Sequence, residues 1–209
     1  MMMLPYIRQL QQSLGNTRAL KVLDLGQTSK SHISSMIELV NPGTDFDSYG
    51  MDLRYDFAET KHEAYDVIIF TEVIEHIKDR DTPGDIEATA CCTYSGVESV
   101  LRNIRERLEP HGFMILTTPN VCNWKALHNI LMYEHPFTYK PHPRELTDAD
   151  CRKFIEGADL KIVEGRTVDV WGNHGFNDSK YIALRLAVQA LGYSVDNRED
   201  DLMYIVARK

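Results

Sequence analysis

The chain has no long hydrophobic run. Its apolar runs, such as Val67-Ile68-Ile69-Phe70 and Leu202 to Ala207, are about four to six residues, against the roughly 20 that a helix needs to cross a bilayer, so no membrane span is expected. The opening MMMLPYIRQL is interrupted by Pro5 and Arg8 and lacks the unbroken apolar core of a secretory leader, so the expected location is cytoplasmic. Cysteine is scarce. Cys91, Cys92, Cys122 and Cys151 show neither C-x-x-C nor any other metal-ligand spacing, and read as free thiols of a reducing compartment. Positive charge is in deficit as well: 23 Lys and Arg stand against 31 Asp and Glu, a net charge of −8. A nucleic-acid partner needs a clustered basic surface, and none is expected here. Internal repeats, linkers and low-complexity segments are also missing.

What remains is ordinary globular composition, 43% hydrophobic and 26% charged over 209 residues. That length suits one domain, 1–209, at about 150 residues per domain. Short, continuously apolar runs bounded by turn signals recur at Val22 to Leu25, Val67 to Phe70, Phe113 to Leu116 and Tyr204 to Val206. Such runs read as strands buried on both faces of a parallel sheet. Helical stripes lie between them. Ile7, Leu10 and Leu14 mark an N-terminal helix within 1–20; Ile33, Met36, Ile37 and Val40 mark another before Asn41-Pro42-Gly43. Val97, Val100, Leu101, Ile104 and Leu108 form the clearest stripe, with Ser95 and Glu98 spaced as a capping box and Pro110 beyond the end. Cys151, Phe154, Ile155 and Ala158 follow Thr147 and Asp150, and Tyr181, Leu184, Val188 and Leu191 precede Gly192. Alternating strands and helices argue for an open α/β sheet, which binds ligands outside the carboxyl ends of its strands. Residues 79–94 and 120–144 fit neither period. They read as insertions at strand ends, either surface loops or a roof over the site.

Three segments carry chemistry. KVLDLG (21–26) closes a buried strand on an acid and a glycine before a helix, which presents free N–H groups and an unobstructed backbone to an anionic ligand. YDVIIFTEVIEHI (65–77) runs a second strand into Glu72, Glu75 and His76. LEPHGFMILTTPN (108–120) is a helix end, a tight turn and a third strand.

In this order and spacing the three segments resemble the class I S-adenosylmethionine-dependent methyltransferases, over residues 21 to about 170. EVIEHI (72–77), TTPN (117–120) and HPRELT (142–147) look like the group within it that methylates small molecules, sugars and lipids. The resemblance implies a Rossmann-like seven-stranded sheet, mostly parallel with an antiparallel last strand at Leu202 to Ala207, and helices on both faces. It implies S-adenosylmethionine as cofactor and S-adenosylhomocysteine as product. Asp24, Leu25, Gly26 and Gln27 would hold the methionine portion. Gly43-Thr44-Asp45 and Gly50-Met51-Asp52 both offer an acid for the ribose; Asp45 would take it, leaving Asp52 or Leu53 to the adenine edge. Thr71 and Glu72 would line the pocket. The sequence departs from the family pattern where Thr28 and Lys30 stand in place of two glycines. Thr28, Ser29, Ser31 and Lys30 can instead donate to a carboxylate at a helix N-terminus.

The expected activity is methyl transfer to an oxygen or nitrogen of a small molecule. His142 or His76 would be the base, since imidazole titrates near neutral pH. His135, His142 and His174 lie beside Phe137, Tyr139, Trp171 and Phe176, side chains suited to a ring-shaped substrate. His32, His62, His111 and His128 read as surface or turn residues. No metal is assigned. The alternative is a metal-assisted O-methyltransferase using Glu72, Glu75 and His76, because oxygen ligands with one imidazole suit a divalent cation. The altered glycine motif leaves open a catalytically silent binding protein of the same fold.

Overall fold

The computed structural model describes residues 3–13, 18–26, 31–54, 59–79, 95–137, 139–169 and 179–209. The apolar runs become the middle of a sheet: β1 (Lys21–Leu25), β3 (Tyr65–Thr71), β4 (Leu108–Pro119) and β6 (Asp201–Arg208). Its two edges are β2 (Asp45–Tyr49) and β5 (Leu160–Val168), giving the order β2-β1-β3-β4-β6-β5. The first four strands in that order are parallel, and β6 runs antiparallel to both β4 and β5. Seven strands were expected; the described residues form six.

Side chains alternate across the sheet as the pleat requires. Leu23, Leu25, Ile68, Phe70, Met114, Leu116 and Tyr204 face α3 (Ser95–Arg107) and α5 (Asp148–Gly157). Val22, Val67, Ile69, Phe113, Ile115 and Ile205 face α1 (Met3–Ser13) and α2 (His32–Val40). Both faces are therefore covered, which is why the central strands are apolar without alternation. β4 starts at Leu108, so Pro110 lies inside the strand rather than in a turn; an irregularity between Tyr65 and Val67 absorbs it. Residues 120–144, expected as an insertion, contain the helix α4 (Trp124–Leu131), capped when Asn123 accepts the Ala126 N–H. α6 (Ser179–Ala190) packs against α4, with His128 edge-on to Tyr181. The other expected insertion, 79–94, falls almost wholly outside the described residues, as do Trp171, His174 and Phe176. No helix among the described residues is long and apolar enough to cross a membrane.

Candidate active site

At the carboxyl end of β1 the chain turns at Gly26 (φ +83°), whose N–H donates to the Tyr49 carbonyl at 2.8 Å. A Cβ here would lie 2.5 Å from Val73 Cγ2, so β3's continuation passes too close for any side chain. Asp24, one residue inside the strand end, is buried. Its Oδ2 accepts from Ser34 Oγ and, at 3.0 Å, from the Ser31 N–H, tying β1 to the start of α2. Its Oδ1 is buried and finds no donor among the described residues. A buried carboxylate oxygen left open beside a strand end is a place for an ammonium or another donor.

Beside Gly26 lies a cleft of about 310 Å³ lined by Gly50, Asp52, Leu53, Arg54, Val73 and His76 among others, a size typical of small-ligand pockets. Asp52 faces the cleft and is clasped by Arg54 through two nitrogens, the shortest contact being 2.7 Å. Arg54 also donates to the Asp79 carbonyl. The other acid expected here is elsewhere: Asp45 opens β2 opposite Lys21, at the amino end of the sheet. There it pairs with Lys61 and, at 3.0 Å, with His62, and the Lys61 contact holds its carboxyl below the usual range. Asp45 is thus the first residue of a strand rather than the end of one, and it is not part of the cleft. His62, read as an isolated turn residue, is its neighbour. Leu25 is buried in the core, and Gln27 lies outside the described residues.

β3 ends in a second cluster. Thr71 is its last residue, and Glu72 takes a left-handed backbone (φ 55°) that side-chain-bearing residues adopt only under constraint. The constraint is β4: the Glu72 N–H donates to the Thr117 carbonyl at 2.9 Å, and Thr117 Oγ1 donates to Glu72 Oε1 at 2.7 Å. The turn Ile74–His76 then buries Glu75, which accepts from Thr118 Oγ1 at 2.9 Å. Burial, helped by the charges of Glu72 and Glu145, pushes the Glu75 carboxyl up to about 8. His76 is pushed below its usual range by partial burial and by His142.

The HPRELT segment closes this cluster. Leu146 bridges Asn120 just past β4, and Arg144 pairs with Asp79 at 3.0 Å. The His142 ring comes edge-on to His76 at 4.5 Å, and Tyr139 lies 5.1 Å from His142. Among the described residues, Glu75, His76 and His142 bring one potential ligand atom each within 4.8 Å of one another. The sequence reading placed Glu72 in that set; Glu72 is turned onto Thr117 and His142 takes its place. Sequence reasoning missed Arg54, Asp79, Thr118 and Glu145. Glu145 had one usable signal, its place three residues after His142 in a segment already singled out.

Residues 6–164 match the profile of a family described as a methyltransferase domain. No curated protein matches the sequence. Among solved structures, the chain is similar to loganic acid methyltransferase with S-adenosylhomocysteine, at TM-score 0.55 and 10% identity over 98% of this chain and 91% of that one. It is also similar to the PH0226 protein of Pyrococcus horikoshii OT3, at TM-score 0.53 and 13% identity over 98% and 90%. The pyocyanin biosynthetic protein PhzM aligns at TM-score 0.53 and 13% identity over 98% of this chain and 54% of that one. These identities speak to the fold. The family match spans most of the sequence, and the chain belongs to this methyltransferase family, among the class I S-adenosylmethionine-dependent enzymes.

Proposed function

We propose that this methyltransferase acts on an oxygen or nitrogen of a small molecule, with His142 and His76 facing the acceptor. One observation carries the reading. His76 lines the cleft at Gly26 and Asp52 and also stands against His142, so a single side chain joins the donor side to the acceptor side. The residues fit S-adenosylmethionine: Asp24 Oδ1 is a buried acceptor with no donor among the described residues, Gly26 leaves the backbone bare, and Asp52 and Leu53 edge the cleft where an adenosine would lie. Thr71 and Glu72, at the carboxyl end of β3, complete the proposed cofactor side of the site. When bound, the cofactor supplies an electrophilic methyl group on sulfur. The protein's share is to orient the acceptor in line and to take its proton. An imidazole with depressed basicity such as His76 is neutral at working pH and able to accept it.

An acidic chain without basic clusters favours a small-molecule acceptor over a nucleic acid, and free Cys122 and Cys151 suit a cytoplasmic location. We read residues 1–209 as one domain. A second reading is favoured by the Glu75, His76 and His142 cluster: one carboxylate with two imidazoles is a donor set for a borderline divalent cation. Such an ion would lower the acceptor's pKa in place of a protein base.

S-adenosylhomocysteine should raise the melting temperature by mass action, and no rise at millimolar ligand would overturn the donor assignment. Full turnover after exhaustive EDTA dialysis would support the histidines as bases. Loss reversed by manganese or zinc would support the metal.

A further inference from the structure

His142 serves either chemistry only if one ring nitrogen offers a lone pair to the site, and an imidazole does not by itself decide which. Nδ1 lies 2.8 Å from Glu145 Oε1, with the two side chains only 7% and 0% exposed. The same oxygen accepts the Tyr139 N–H at 3.1 Å, so two partners converge on one atom of a carboxylate. Oε1 already serves the Tyr139 N–H as an acceptor, and the same role toward His142 makes Nδ1 the donor. Glu145 is not spent on its neighbouring helix, because α5 is capped by Thr147 and Asp150. Its other oxygen, Oε2, is buried without a partner among the described residues. A carboxylate kept in so enclosed a place, and aimed at one histidine, points to a role carried through that histidine.

We infer that Glu145 is a positioning residue that fixes His142 with its proton on Nδ1 and its lone pair on Nε2, the nitrogen left for the acceptor or a cation. This rests on the reading of His142 as a group of the acceptor side. The Arg144–Asp79 pair, one residue away, clamps the same segment against the end of the turn after β3. His142 is therefore held at two points: its ring by Glu145, and its backbone N–H by the Tyr139 carbonyl at 3.0 Å.

The test is long-range proton–nitrogen NMR on the full chain labelled with 15N-histidine, under conditions where the ring is neutral, with His142→Gln to assign the signal. Wild type should show the Nδ1–H form at His142. Glu145→Leu should move that residue to the Nε2–H form, while Glu145→Gln, whose amide oxygen still accepts, should keep the wild-type pattern. With an acceptor in hand, Glu145→Leu should lower kcat about 10–100-fold at unchanged KM for S-adenosylmethionine, and Glu145→Gln should recover most of it. An Nε2–H signal in wild type, or an unchanged signal in Glu145→Leu, overturns the inference. The wild-type measurement needs no variant to fold. It is also independent of cofactor binding, so a failure to bind S-adenosylhomocysteine would sink the donor assignment and leave this result standing.

Discussion

Gly26 concentrates two constraints that a substitution can separate. Its positive φ disfavours any side chain, and a Cβ would overlap Val73. Gly26→Ala should lower stability by about 1–3 kcal/mol, the scale of a forced left-handed residue. Adding Val73→Ala should return the steric part and leave the backbone part, a coupling that a double-mutant cycle of urea melts measures directly. Additive losses would mean that the close approach is not there. Glu75 sets a pH dependence of the opposite kind to most carboxylates. Its carboxyl is raised from 4.5 to about 8, so the folded state holds a proton that the unfolded state has released across that interval. Stability should therefore fall as pH climbs from about 4.5 to about 8 and level off above it. In the presence of chelator, Glu75→Gln should flatten that limb, and urea melts at pH 5, 6.5 and 8 read the slope. A wild-type slope rising with pH through this range would show that Glu75 is ionised in the fold.

Among the elements, the start of β3 depends on a strap that the apolar pattern does not announce. Arg18 grips Asp66 through two contacts of 2.6 Å, and Asp66 also accepts the Lys21 N–H at 2.9 Å, joining β3 to the beginning of β1. Asp66 is enclosed while Arg18 remains part-exposed and can rehydrate, so Asp66→Ala should cost about 2–3 kcal/mol rather than the full penalty of a wholly buried pair. A loss under 0.5 kcal/mol in chemical denaturation would count against the strap. The same contrast between pattern and pairing explains what the sequence disclosed of the fold. β1, β3, β4 and β6 were legible because they are interior strands, covered on both faces and therefore apolar throughout. β2 (Asp45–Tyr49) and β5 (Leu160–Val168) were not, because edge strands carry polar groups that protect an open side. With no apolar run to mark β2, its first residue Asp45 could not be told from an acid that follows a strand. In the site, Glu72, Glu75 and His76 could be read together because they are near in sequence, and their attachment to His142 rested on resemblance alone. Glu145, Asp79 and Arg54 act across 25 to 65 positions or through buried pairs, distances at which a linear pattern carries no signal.

For the whole molecule, the decisive connection is the last strand. β6 is not at the rim: it lies between β4 and β5, and it is the strand against which all of β5 is paired. Leu202, Tyr204, Ile205 and Val206 are buried to 1% or less, and they supply both faces of the sheet, Tyr204 toward α5 and Ile205 toward α1 and α2. The Tyr204 hydroxyl donates to Asp148 at 2.6 Å, in the first turn of α5, the helix that follows HPRELT. Ending the chain at Arg198 would expose the inner edge of β4, leave β5 without its partner strand and strip about four fully buried side chains from the core, each worth roughly 1.5–3 kcal/mol. That sum is comparable to the entire 5–15 kcal/mol stability of an ordinary domain. The truncated chain should therefore fail to fold, although it retains every residue of the family match (6–164) and every candidate site residue. Amide hydrogen exchange reads the outcome. Loss of protection throughout β1, β3 and β4 is expected, whereas a truncated protein that kept slow exchange at Val67 to Phe70 would show that the C-terminal strand is an accessory to a sheet already complete without it.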